Sequence, residues 1–346
     1  MIIVLFIAVL LVTVLVHEWG HYIAAKKSGM LVEEFGFGIP PRLWSWKKGE
    51  TRYSINVLPI GGFVKIAGEN GEDLNAPHER QFESKPWYIK SLVLIAGVIM
   101  NVALAIVLFA TAYTIGMPGM TDSGTPTVVS VVQGSPTQAA GVAVGDTVQS
   151  VVIDKKIVDV LDTDKIHEAI ASSKGDVTIT YTHKGESHTA VITPSAQRLI
   201  GVAIEPIGVI KQPFFKALGL AWQQSMSLIG QIVTAIGTLV GGLLHGHGST
   251  EGLVGPVGLA REVGNAATFG ITYLLAFIAT ISLNLAVLNI LPFPALDGGR
   301  LIVVWGEAIT KRKFSSTVVG LIHGIGFLIL IALMVALTVG DIRKAI

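Results

Sequence analysis

The sequence contains no cysteine. Disulfides and thiolate metal ligands are thereby excluded, and any metal must be held by nitrogen and oxygen. Charge is scarce as well: 14% of the 346 residues are Asp, Glu, Lys or Arg, against 51% hydrophobic residues, a balance too apolar for an ordinary soluble enzyme. With a net charge of +1 there is no basic surplus to recruit nucleic acid. What the chain has instead is long apolar runs, and these predict a polytopic α-helical membrane protein lying in a lipid bilayer.

The first run begins at Ile2 and ends in His17-Glu18-Trp19-Gly20-His21. It lacks a basic start and a small-x-small cleavage site, so it reads as a retained spanning helix rather than a signal peptide. Side chains four apart on a helix share a face, so His17 and His21 can present imidazole nitrogens to one Zn²⁺ with Glu18 beside them. Three ionisable groups on a spanning helix are costly unless they have a task. A tetrahedral ion would still need a third protein ligand and an open position for water, and Glu18 is placed to act as the general base. Lys26, Lys27, Arg42, Lys47, Lys48, Arg52, Lys65, Arg80, Lys85 and Lys90 follow. By the positive-inside rule this stretch is cytoplasmic, which puts the first residue outside and the histidines toward the cytoplasmic end of the span.

Within the cytoplasmic, membrane-associated region at 27–90, residues 41–67 change texture, with Pro40-Pro41 opening the stretch. Pro40-Pro41, a Lys48-Gly49 turn and the alternation over residues 51–57 predict a membrane-associated hairpin or small sheet. Gly61-Gly62 then allows a sharp bend close to other elements. The hairpin either packs for structural reasons or offers a free strand edge, with Gly61 and Gly62, to an unwound substrate. Residues 91–116 form a second span, in which Gly97, Asn101 and Ala105 recur every four residues and suit close helix packing, with Asn101 hydrogen-bonding across helices.

Residues 124–206 read as a small α+β domain: strands at 126–132, 144–148, 177–183 and 187–193, and helices at 135–141 and 164–172. Their order and punctuation resemble a PDZ domain outside the cytoplasm. The resemblance implies a carboxylate-binding loop at Leu199, Ile200, Gly201 and Val202 that takes a peptide or substrate C-terminus, with a size gate as the alternative role. His167, His183 and His188 read as solvated. Residues 207–268 combine an amphipathic helix at 214–244, on the membrane surface or as a further span, with a linker; His245-Gly246-His247 reads as plain loop and Gly255-Pro256-Val257-Gly258 as a rigid turn. Orientation favours the surface position, because an extra crossing would put the next motif on the wrong side.

That motif ends the run over 269–305: Asn289-Ile290-Leu291-Pro292-Phe293-Pro294-Ala295-Leu296-Asp297-Gly298-Gly299. Pro292 and Pro294 break the helix, freeing carbonyls and shaping a pocket, while the glycines permit close approach. If the second span exits and this one re-enters, Asp297 arrives level with His17 and His21 and supplies the missing carboxylate. A last span at 318–340, containing His323 with no assigned role, would leave the C-terminus outside, for four transmembrane helices in all.

The combination resembles the site-2 protease family, zinc intramembrane metalloproteases of the bacterial regulator-of-sigma-E protease type, here with one PDZ domain. The likeness rests on HEWGH (residues 1–26), Pro59-Ile60-Gly61-Gly62-Phe63-Val64-Lys65, Ala96-Gly97 with Asn101, Gly255-Pro256-Val257-Gly258, and Asn289 with Leu296-Asp297-Gly298. Val98 stands where relatives often carry proline. The resemblance implies one zinc per chain on His17, His21 and Asp297, Glu18 as base, and Asn289 as a substrate or oxyanion contact. It implies a place in the bacterial cytoplasmic membrane and single-span substrates: anti-sigma factors trimmed beforehand by a site-1 protease, or remnant signal peptides. A catalytically silent PDZ scaffold and a divalent-metal transporter are the alternatives, and an intact Glu18 speaks against both.

Overall fold

The chain opens with an apolar helix, α1 (Ile2–Lys27). In the computed structural model, residues 2–69, 71, 76–132, 134–158, 160, 163–172, 175–183, 185–195, 198–245 and 254–345 are described. Gly246-His247 of the histidine tract and Lys184 of the second hairpin turn lie outside them, as does the His167 side chain.

After α1 come β1 (Val32–Lys48) and β2 (Thr51–Ile66), one long antiparallel hairpin. It begins nine residues before Pro41, earlier than the alternation pattern suggested, because Pro40-Pro41 sits inside β1 instead of opening it. Prolines cannot donate to the ladder, and the register slips between Ile39 and Arg42. The buried Asn56 amide fills the gap by donating to the Phe37 and Gly38 carbonyls at 3.1 and 3.0 Å. At the far turn Glu50 accepts from Arg80 and Lys26 at 2.7 and 2.6 Å. The hydrogen bond from Arg80, then that from Lys26, pull its carboxyl from 4.5 down to about 2. Stability from this cluster is present above pH 4.5 and is lost as pH falls toward 2. Solvent screens the partly exposed pair, so the effect is small. Thermal unfolding of Glu50→Gln is expected to show a shallower acid dependence over that window than wild type.

The helix α2 (Trp87–Ile115) leads into a second unit, residues 115–212. It holds β3 (Met117–Val131), α3 (Pro136–Ala139), β4 (Thr147–Ile153), β5 (Lys156–Val158), α4 (Thr163–Ser172), β6 (Val177–His183), β7 (Glu186–Ile192) and β8 (Val202–Ile210). The sheet order is β7-β6-β4-β3-β8, with β5 added to β4. Inward-facing Val128, Val151, Val177, Ile179, Ile192 and Ile204 are fully or nearly fully buried in its core. Each is worth about 1.5–3 kcal/mol on folding. His183 is not simply solvated: its Nδ1 lies 2.6 Å from Oδ1 of the buried Asp146, whose Oδ2 accepts from the Ala143 amide.

The first unit resumes with α5 (Phe214–Leu244), α6 (Pro256–Thr268), α7 (Ile271–Ile290), α8 (Asp297–Thr310) and α9 (Ser316–Ala345). Gly255-Pro256-Val257-Gly258 is more than a turn, since Pro256 opens α6 at a position where a missing N–H costs nothing. The Asp341 carboxylate of α9 accepts the Gly258 and Gly255 amides at 2.7 and 3.3 Å, satisfying that helix start. Five described helices are long and apolar enough to cross a membrane by length and composition: α1, α2, α5, α7 and α9. The fifth candidate beyond the four expected is α5, whose apolar content is interrupted by Lys216, Gln223, Gln224 and Gln231.

Candidate active site

The buried residues of α1 are Val9, Thr13, His17, Gly20, His21 and Ala25, a stripe of four- and three-residue steps that puts both imidazoles on the face toward α2. At Gly20 the two backbones almost touch: a Cβ there would stand 2.4 Å from the Ala96 carbonyl oxygen. On the facing helix, a Cβ at Gly97 would stand 2.6 Å from His21 Nε2 and 2.7 Å from His17 Cε1. Gly20 therefore lets the two backbones close on each other, and Gly97 leaves open the space that the two rings occupy.

Asp297 comes from the opposite side. Helix α7 stops at Ile290, and tight turns follow in which Phe293 N–H donates to the Leu291 carbonyl at 2.7 Å and Leu296 N–H to that of Phe293 at 3.2 Å. Asp297 is then the first residue of α8, heading a new helix rather than trailing the old one. The turn folds so tightly onto the end of α7 that a Cβ at Gly298 would fall 2.2 Å from the Leu291 carbonyl oxygen. Ala295 takes a left-handed conformation, φ 78°, and its N–H donates to His323 Nδ1 of α9 at 2.8 Å. His323, which carries no expected role in its span, thus holds the turn that presents Asp297; a histidine in an otherwise apolar span was the available signal. A left-handed alanine costs roughly 1–2 kcal/mol. Ala295→Gly is therefore expected to raise stability by about 1 kcal/mol in thermal unfolding with cleavage kept, whereas a β-branched Ala295→Val loses both.

Three donor atoms converge. His17 Nε2 lies 3.0 Å from Asp297 Oδ2, His21 Nε2 lies 3.3 Å from the same oxygen, and the two Nε2 atoms are 3.1 Å apart. Ligands about 2.0–2.1 Å from a tetrahedral ion sit about 3.3 Å from each other, so this spacing fits one Zn²⁺. The tautomer of His21 fits too. Its Nδ1 is 2.8 Å from the Val93 carbonyl, to which it can only donate, and that leaves Nε2 as a bare lone pair facing the cluster. Among the described residues this is the one trio of His, Asp or Glu close enough to share an ion.

Glu18 faces a cavity of about 240 Å³ lined also by Val14, Gly61, Gly62, Leu285, Asn289 and Asp297. Gly62 comes within van der Waals reach of it, since a Cβ there would lie 3.1 Å from Glu18 Cγ. Asn289 Nδ2 is 3.5 Å from His17 Nε2. Pro292 is exposed and is not among the cavity's lining residues; Ala295 and Leu296 take that place, and the proline's contribution is the helix break itself. Of the loop residues in the second unit, Ile200 offers its carbonyl to the Thr137 hydroxyl and amide, Gly201 has φ 74°, and Val202 opens β8.

Compared with known proteins, residues 5–333 match peptidase family M50. The chain belongs to that family. Proteins named as zinc metalloproteases from Clostridium perfringens and Clostridium acetobutylicum are 34% and 32% identical to it, over 95% of both chains in the first case and 96% and 94% in the second. The zinc metalloprotease RasP of Geobacillus kaustophilus is 28% identical over 99% of this chain and 98% of its own. This M50 peptidase is accordingly a site-2 protease family member, a zinc-dependent metalloendopeptidase and a multi-pass membrane protein.

Proposed function

We propose that this M50 peptidase cleaves single-span membrane proteins within or beside their membrane segment, with zinc on His17, His21 and Asp297 and Glu18 as general base. The observation that carries this reading is the convergence of three donor atoms within 3.3 Å of one another beside Glu18. Zinc, when bound, polarises the scissile carbonyl and lowers the pKa of water. Glu18 takes a proton from the attacking water and passes it to the leaving amine. Asn289 is placed on the His17 side of the cavity to donate its amide to the substrate carbonyl as charge develops there. Gly61 and Gly62 line the other wall, where absent side chains let an extended substrate backbone approach.

His17 lies ten residues from the end of α1, about 15 Å along the helix and so at membrane depth. A helical substrate keeps its peptide bonds in internal hydrogen bonds, so a stretch must unwind before it fits beside β2. Both α1 and α7 run toward the centre and reach it near their C-terminal ends. They cross in the same direction, which requires an odd number of crossings between them. The helix α2 supplies that one crossing and α6, at 13 residues, is too short for another, which supports four crossings in all, with the centre on the lysine-rich, cytoplasmic side and α5 lying along the surface. The second unit is proposed as an extracytoplasmic PDZ domain, its strand order and the loop before β8 supporting capture of a peptide C-terminus. Anti-sigma factors trimmed by another protease and remnant signal peptides, in the bacterial cytoplasmic membrane, are the proposed substrates in regulated intramembrane proteolysis.

The test is cleavage of a single-span substrate by the purified chain in detergent, with the cut position mapped. A cut inside the apolar segment is expected; a cut confined to soluble tails contradicts the reading. Replacing two helix-breaking glycines near the cut by leucine should slow cleavage roughly 5–30-fold, the equivalent of about 1–2 kcal/mol of added helix stability.

A further inference from the structure

Asn101 stands one turn after Gly97 on α2 and is wholly buried, which the pattern of small residues explained as helix packing. Its surroundings say more. Its side-chain amide lies 3.5 Å from His17 Nδ1, the one hydrogen-bond contact of that ring nitrogen among the described residues. The other amide atom, Oδ1, is buried with no partner. The backbone is held from the far side, where the buried Ser282 hydroxyl of α7 donates to the Asn101 carbonyl at 2.8 Å.

With nitrogen toward the ring, the amide would donate to Nδ1 and force the His17 proton onto Nε2, the atom that faces Asp297 and His21. A protonated Nε2 cannot be a metal ligand. Turning the amide by half a revolution exchanges two atoms of nearly equal size and brings the unpartnered oxygen to the ring. We infer that Asn101 is a positioning residue of the metal centre, whose amide oxygen accepts the Nδ1 proton of His17 and so keeps the Nε2 lone pair aimed at the ion. It then does for His17 what the Val93 carbonyl does for His21 at 2.8 Å. The inference rests on the proposed ligand set of His17, His21 and Asp297.

The experiment compares full-length wild type with Asn101→Leu, Asn101→Asp and His17→Ala in detergent. Zinc affinity is read by chelator competition, the visible spectrum is recorded after cobalt substitution, and thermal unfolding reports on folding. Asn101→Leu is expected to lose 10–100-fold in zinc affinity and to shift the cobalt spectrum, while Asn101→Asp, an acceptor of nearly the same shape, stays close to wild type. An equal loss in Asp and Leu variants, tracking a lower unfolding temperature, would make Asn101 a packing residue and overturn the inference. So would wild-type affinity and spectrum in Asn101→Leu while His17→Ala loses its metal. Full zinc affinity in His17→Ala would instead overturn the ligand set, and this inference with it.

Discussion

Gly97→Ala is expected to lower cleavage at least 100-fold and to strip the protein of much of its zinc while leaving it folded. The added methyl would stand 2.6 Å from His21 Nε2 and 2.7 Å from His17 Cε1. The helices cannot spread to admit it without losing the contact at Gly20, where α1 already rests on the Ala96 carbonyl. The imidazoles must turn instead, and a displacement near 1 Å in a catalytic group costs about 10²-fold. Alanine is otherwise the better helix former, so propensity works in the variant's favour and the loss is assignable to the rings. Metal analysis alongside cleavage checks it, with Gly230→Ala on α5 as the control, since a Cβ there meets nothing within 4 Å. Full activity in Gly97→Ala would mean that the rings are not held as described.

Glu18→Gln is expected to reduce cleavage by about 10²–10⁴-fold with the zinc content unchanged. Glu18 is not one of the three converging donors, yet it shares the cavity with Asp297 and Asn289. Glutamine keeps the shape and a hydrogen-bonding end but cannot take a proton. A single-turnover assay with metal measured in the same sample separates this outcome from a structural one. Loss of zinc together with loss of activity would make Glu18 a ligand or a support for one, and retained proteolysis would remove it from the mechanism.

Much of this was legible in the residue order because the physics involved is short-range. Two histidines four apart share a helix face whatever surrounds them, and a proline pair ends a helix wherever it falls, so α1 and the end of α7 follow from local rules. The hairpin was harder. Its turn at Lys48-Gly49 is a local signal, but the run of β1 through Pro40-Pro41 goes with a register slip in which Asn56, on the opposite strand, donates to the Phe37 and Gly38 carbonyls just before the prolines. The pairing of His183 with Asp146, 37 residues apart, and the grip of His323 on Ala295, 28 apart, were likewise invisible to spacing rules. Asn101 shows the limit most clearly: its four-residue step from Gly97 signals packing, and only the ring nitrogen 84 residues earlier in the chain gives it a further task.

The most direct test of the account is the zinc content of the purified chain compared with His17→Ala, His21→Ala and Asp297→Ala, each after gel filtration to remove loosely held metal. One zinc per chain in the wild type and a large loss in all three variants is the predicted result. Wild-type zinc in any of the three would contradict it, because no ion can sit among three converging donors and be indifferent to the removal of one.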